Sequence, residues 1–512
     1  MGKYIKAGLL LIFTVTPVVL ALIFIFGGDP TTEYNGENNN YLPEEPPDYI
    51  ERNYYEELDE PEDVTDPRVT TLRLGALSFP WDIVFEVDLF NWANDLYYIE
   101  IVEIWPLYYA AYDGSQYEEY DVIDMTRILQ ESMNALLHGD FDIILISTGF
   151  LLHYSDASFA WVDLYELIDA DFALNRTDFF PNVLSSGEAP DGTLPLFTLG
   201  FALYTMVSMQ GVAEQITPLT FENLHRHLSE NDSLKFITAD TYLPSLINMI
   251  FLGSENHFID IERGIANFYN DDFISALEIF RYVTEHPGRG FVWDYVDVYE
   301  LMAHSDEVLL FNTLEAERFE RGEILLSPFI MTDPMQFHIM MAALEEAVVV
   351  GVPSAEGGNH FIIPHNQIGI NADSPHQDAA WSFMQQLMRH SHTYTSIPSF
   401  LLPTRISTFE NEIEQLTRPV FHGGTEHPRA REWSGLSGQL PPEQIYVYAA
   451  TMAETTVIRE LITSAVVIEP GHPELSEIII EETETFIREN RSAEETARVI
   501  QSRVQEFFDS RR

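Results

Sequence analysis

Cysteine is absent from this 512-residue chain. That excludes structural disulfides, thiolate metal sites, a cysteine nucleophile and the lipid-bearing cysteine of a bacterial lipoprotein. Basic residues are scarce: 26 Lys and Arg face 82 Asp and Glu, a formal net charge of −56. Nucleic-acid affinity comes largely from cations that neutralise phosphates, so nucleic acid is excluded as an expected partner. Highly anionic ligands are disfavoured at long range unless a local basic pocket overrides the field. Adaptation of an exported protein to a saline or alkaline medium, with the solubility it brings, accounts for such a surface better than cation capture does.

Catalytic signatures are missing too. No G-x-S-x-G elbow, G-x-x-x-x-G-K-[ST] phosphate loop or H-E-x-x-H pair occurs. The nearest approach to a metal motif is two His-x-His triplets, His225 to His227 and His390 to His392. Imidazoles two residues apart do not share a helix face, so a solvated or core role is expected and no metal or cofactor is assigned. With so many carboxylates a glycosidase-type acid pair can always be proposed, and the proposal carries no weight.

What is present is a large apolar content, 46% hydrophobic and 13% aromatic. That suffices for a sizeable core, in one two-lobed body or two to three ordinary domains. Lys3 and Lys6 precede an apolar run from Ala7 to Phe26. About 20 such residues can span a hydrocarbon core, and the positive flank places the amino terminus inside and the rest outside. Residues 1–28 are read as a signal anchor or a signal peptide; the missing A-x-A site favours the uncleaved form. Residues 29–69, rich in Asp, Glu, Asn, Pro and Tyr, read as an acidic, disordered stalk.

From Thr70 the pattern changes. "TTLRLGALSF" predicts a strand, Trp81 to Ala93 a helix, "YYIEIVEIW" a second strand, Val122 to His138 a second helix and "FDIILIS" a buried third strand. That alternation predicts a parallel α/β sheet, whose ligands sit beyond the carboxyl ends of the strands. Phe221 to Phe319 reads as mostly helical, with Asp271 or Asp272 capping a helix that buries Phe273, Ala276, Leu277, Phe280 and Val283. Strand-like "VLLFNT", "ILLSPFIMT" and "NHFIIPHNQIGINAD" follow, the last running into a helix from His376 to Met388. Ser492 and Glu495 read as a capping box before a helix that buries Ala497, Ile500, Val504 and Phe507.

Several of these segments resemble bacterial extracellular solute-binding proteins of sugar ABC transporters, the group that includes maltose-binding protein. "INADSPHQDAAWSFMQQLM" is similar to that family's late strand and Ala-Ala-Trp helix, and "FDIILIS" with "WVDLYELIDAD" to its "G…pDI" strand and the segment after it. "ITPLTFENLHRHL" is similar to its P-x-T-W-x-E-L helix start, with Phe221 in place of tryptophan, and "FIRENRSAEETARVIQSRVQEFF" to the last helix of a clostridial branch. The matches cover most of Thr70 to Phe508. The resemblance implies a two-lobed, periplasmic-binding-protein-like α/β fold with crossing hinge segments, closing on a ligand in the cleft between lobes. Lobe one would comprise about 70–190 plus 330–375, and lobe two about 191–329 plus the C-terminal helices.

The implied function is reversible capture of a small solute, a carbohydrate, by an extracytoplasmic monomer that delivers it to an ABC permease, with no enzymatic step. A surface-anchored polysaccharide hydrolase and a tethered sensor or scaffold are the alternatives. Sugar sites pair aromatic faces with polar side chains, and the candidate ligand-binding residues are chosen accordingly. They are Phe79 and Trp81 after the first strand, Trp105 after the second, and Ser147 and Thr148 after the third. Trp293, Tyr295, Glu356, Gly357, Gly358, His360 and Tyr394 join them from later segments. Core packing competes with ligand contact for each aromatic. Gly357 and Gly358 would let a ligand approach the backbone.

Overall fold

The computed structural model describes residues 69–77, 79–104, 135–146, 160–189, 191–230, 254, 257–260, 263–285, 319, 324–344, 346–390, 401–422, 425–433, 443–467 and 473–511. The anchor, residues 29–68 of the stalk and the strand-like "VLLFNT" lie outside them. No helix among the described residues is long and apolar enough to cross a membrane.

The three strands and the first helix expected after Thr70 form as read. Strand β1 (Thr70–Ala76) leads to helix α1 (Trp81–Ala93) and strand β2 (Tyr97–Glu103), which pairs with β1 in parallel, Thr70 opposite Tyr97. Strand β3 (Ile143–Ile146) flanks β1 on its other side, also parallel, with Leu74 opposite Ile143. Ile83, Val87 and Phe90 of α1 pack on one face of these strands, while Leu136, Leu137 and Phe141 cluster with Ile144 and Ile146 apart from them. Successive crossovers on opposite faces are what right-handed connections require when the chain first steps outward and then returns past its starting strand. Of the helix read over Val122 to His138, only its last turn lies among the described residues.

Two long strands extend this unit. Strand β4 (Phe197–Met209) carries 13 residues, all but one buried, and pairs antiparallel with strand β7 (Phe361–Ile370), from Phe197 opposite Ile368 to Tyr204 opposite Phe361. Strand β7 continues onto β3, Ile143 opposite Ile370. Strands β5 (Ser327–Met331) and β6 (Ala347–Val349) pair with the carboxyl half of β4, and β8 (Leu402–Pro403) with Gly200 and Phe201. Near-continuous hydrophobic runs are the mark of strands covered on both faces.

Those strands pass between separate cores. Phe197 and Leu199, with Ile368 and Ile370, belong to the core that holds α1 and β1–β3. That core also buries Ala379, Ala380, Phe383, Met384, Leu387 and Met388 along one side of helix α5 (Gln377–His390). Phe383 meets Phe90 edge-on at 5.3 Å; truncating so buried a ring costs about 3–5 kcal/mol. Beyond Gly200 the two faces of β4 diverge, as the period of two dictates. Ala202 and Met206 join the core of helices α2 (Phe221–Glu230), α3 (Asp271–Glu285), α8 (Pro473–Glu489) and α9 (Ala493–Ser510). Phe201, Leu203 and Val207 join that of α4 (Pro334–Ala343), α6 (Ile406–Leu416) and α7 (Met452–Ser464).

Local readings need two corrections. Asn270, rather than Asp271 or Asp272, caps α3: its Oδ1 accepts from the N–H of Phe273 at 2.9 Å, three residues on, the capping geometry. Asp272 instead meets His257 at 3.1 Å. In α9, Ser492 accepts from the Glu495 N–H, which is one half of the expected capping box. Phe508 is buried more deeply than Phe507, because a four-residue step from Val504 stays on the face that Ala497, Ile500 and Val504 define. Within the span read as mostly helical, a short ladder pairs Ile259–Asp260 with Ile265–Ala266.

Candidate functional site

The parallel strands β1 and β3 end together, Ala76 opposite Leu145, and the chain beyond them turns into α1. Phe79 lies in that turn. Its N–H donates to Glu103 Oε1 at 3.3 Å, tying the end of β1 to the end of β2, and its ring is half-buried against the first core. Trp81 opens α1 at the same edge. Trp105, Ser147, Thr148, Trp293, Tyr295 and Tyr394 lie outside the described residues.

Strand β3 stops at Ile146, opposite Gln367 of β7. Residues 365 and 366 therefore lie just past the carboxyl end of β3, at the waist where β4 and β7 leave the first core. A band of buried polar groups occupies it. The hydroxyls of Ser186 and Thr198 are 2.8 Å apart, and the Gln367 amide donates to Thr198 Oγ1 and to the Ser186 carbonyl, both at 3.2 Å. Asn366 adopts a left-handed backbone, φ 51°, one of the few non-glycine positions to do so, and short polar side chains tolerate it best. His365 is 2% exposed and its Nε2 has no hydrogen-bond partner. Burial pushes its imidazole down to about 4, so the ring is neutral at ordinary pH. None of these residues was singled out from sequence. The available signal was the polar stretch His365-Asn366-Gln367 inside an otherwise apolar strand.

The later candidates gather elsewhere. His360 precedes β7 with its Nδ1 2.8 Å from Thr205 Oγ1, and burial lowers its pKa. Seven residues separate it from Gln367, about 23 Å along an extended strand, so His360 lies well away from the polar band at the waist. Glu356 is exposed in the turn that follows Val352. Gly357 and Gly358 have φ of 108° and 91°, and a Cβ on Gly358 would fall 2.4 Å from the Val350 carbonyl oxygen. Both N–H groups donate to Ser354 Oγ, at 3.0 and 3.2 Å. Packing of this turn against Pro218 and Leu219 is thus reason enough for both glycines. Trp381 is half-buried against the first core, as its Ala-Ala-Trp setting suggested. His227 is buried on α2, where desolvation lowers its pKa. Among the described residues no group of three His, Asp or Glu could hold a metal ion.

No family model matches the chain. No curated protein sequence matches it either. Solved structures do. The sugar-binding protein MalE from Xanthomonas citri superposes with a TM-score of 0.53 at 14% identity, covering 86% of this chain and 98% of that one. The chain has the maltose-binding-protein-like fold. The cyclic alpha-maltosyl-1,6-maltose binding protein from Arthrobacter globiformis aligns over 86% of this chain and 100% of its own at 13% identity, with a TM-score of 0.49. The fold assignment rests on the first. Strands β4 and β7 contribute side chains to more than one of the separate cores, and the polar band lies where they leave the first.

Proposed function

We propose that the chain is the extracytoplasmic binding component of an ABC importer, taking up a carbohydrate reversibly in a cleft between two lobes and passing it to a membrane permease without chemical change. The observation that carries this is the passage of β4 and β7 from one core to the other two, with buried hydrogen-bonding groups at the crossing, past the carboxyl end of β3. Ligands of open α/β sheets bind beyond such ends. Lobe one would comprise about 70–190 plus 330–375, and lobe two about 191–329 plus the C-terminal helices. Phe79, and Trp81 at the start of α1, would stack on the sugar, with Gln367, Asn366 and Thr198 at the floor. Residues 1–28 would hold the body at the membrane and 29–69 would space it outward.

A thermal-shift screen of the full-length protein against mono- and oligosaccharides, polyols and peptides tests this. A carbohydrate at about 100 times its dissociation constant should add roughly 2.7 kcal/mol of stability and be recovered intact. Recovery of cleaved sugar would replace the reading with a hydrolase; silence across the panel would replace it with a tethered scaffold.

A further inference from the structure

Helix α1 is apolar on two sides, and only one of them is covered. Ile83, Val87 and Phe90, at steps of four and three, face the first core. Phe85, Leu89 and Trp92 repeat those steps on the outer side: Phe85 is 39% exposed, Trp92 86%, and Leu89 half-buried between them. Leu96, in the turn that follows the helix, is 62% exposed and extends this surface. The Asn91 side chain bonds both ways to the Ile99 backbone, at 2.7 and 3.0 Å, and folds that turn back against the helix end. A helix apolar all round is normally buried all round, and a contiguous exposed apolar patch marks a contact surface.

The chain itself arrives at this patch. The Thr70 N–H donates to the Leu96 carbonyl at 2.9 Å, so the segment preceding β1 joins the body at the patch's edge. Within residues 29–68, apolar side chains concentrate in "YIERNYYEEL", Tyr49 to Leu58. Ile50, Tyr54 and Leu58 recur at four-residue steps, the spacing of one helix face. Asp48 and Glu51 stand as a capping box before that stripe, and Pro61 lies beyond it as a stop. So short a helix is marginal alone in water and depends on an apolar surface to form against. The ten residues from Asp59 to Arg68 reach at most about 36 Å, and α1 is about 20 Å long, so its whole outer face is within range. A linker of that length gives an effective concentration of about a millimolar. A contact with a dissociation constant of about 0.1 mM then stays closed roughly ten to one.

We propose that residues 48–58 dock as a helix on the outer face of α1, with Ile50, Tyr54 and Leu58 covering Phe85, Leu89, Trp92 and Leu96. Docking takes up part of the 29–68 segment and so sets how far the body stands from residues 1–28, whatever solute the protein binds. Both partners are acidic: Asp88 is exposed on α1, and Asp48, Glu51, Glu56 and Glu57 belong to the segment. Salt screens their repulsion, so the contact closes more tightly and the spacer shortens as salt rises.

Amide hydrogen exchange of the full-length protein in phosphatidylcholine nanodiscs tests this. Relative to their intrinsic rates, residues 49–58 should exchange roughly tenfold slower than residues 29–40. Trp92→Ser and Leu96→Ser should abolish that difference, while Phe421→Ser, at an exposed aromatic outside the first core, should keep it. The replaced side chains are exposed, and an unchanged melting temperature checks that the body still folds. Free exchange throughout residues 29–68 of the wild type overturns the proposal and leaves the patch to lipid or to a second copy. Slowed exchange that survives both Trp92→Ser and Leu96→Ser overturns it too.

Discussion

His338 Nδ1 lies 2.8 Å from Glu454 Oε1, while Nε2 of the same ring lies 2.8 Å from the Tyr448 carbonyl oxygen. The histidine is on α4 and the glutamate on α7, so this nearly buried pair fixes two helices of the third core to each other. Burial raises the Glu454 carboxyl, but hydrogen bonds from Thr451 and His338 outweigh it and hold the group below its usual range. A depressed carboxyl contributes stability that is present above its unfolded value, near 4.5, and lost as pH falls through the folded one. We expect His338→Leu to cost about 2–4 kcal/mol near pH 7, because it leaves a half-buried carboxylate short of a donor. Glu454→Gln should flatten the acid limb of stability between pH 5 and 3. Urea unfolding of each variant across that range measures both.

Glu412 on α6 behaves in the opposite sense. Burial, assisted by the nearby Asp333, pushes its carboxyl up to about 8. Asp333 is itself raised by burial, against a hydrogen bond from Met335 and the charge of Arg431. A raised carboxyl keeps its proton in the folded state while the unfolded chain loses it, so stability falls as pH climbs from about 4.5 to 8. Glu412→Gln should therefore match wild type at pH 4 and exceed it at pH 9 by about 1–3 kcal/mol. Equal stabilities at pH 9 would remove Glu412 from the account.

Gly358→Ala should destabilise strongly. The position combines φ 91° with a Cβ placed 2.4 Å from a backbone oxygen, which cannot rotate away as a side-chain end can. Strain of this kind costs about 1–3 kcal/mol before the clash is counted. Gly192→Ala is the control, since φ there is 82° but nothing lies within 4 Å. It should cost only the conformational part. Thermal melts of the two variants separate the contributions.

The surface charge predicts its own effect. With a formal charge of −56 over the whole chain, the protein repels itself, and salt should relieve that. Raising sodium gluconate from low to molar concentration should lift the melting temperature markedly. A flat response would end the saline-adaptation reading of the acidity.

Much of the molecule was legible beforehand because its signals are local. Helix α1 has the boundaries read from sequence, and β1–β3 are where alternation and short apolar runs put them. The stripe of α5 packs as its spacing required. Local signals failed where two neighbours compete for one role. Asn270 and Asp271 can both cap, and only the chain path into α3 chooses between them. The site was harder to read. Phe79 sits at a strand end, where the rule for parallel sheets sends one to look. The waist residues Thr198 and Gln367 are 169 positions apart, and nothing local announces that they meet.

By itself the sequence determined the charge, the absence of thiol chemistry, the parallel start of the sheet and most helix faces. These depend on composition or on periods of two and 3.6 residues, which a single strand or helix already contains. Only the tertiary structure decided that β4 and β7 pass unbroken between cores. It alone set His365 beside the end of β3. Each of those facts depends on which distant segments come to lie within a hydrogen bond of each other. That is fixed by antiparallel register and core packing summed over the whole chain, which no local window of sequence holds.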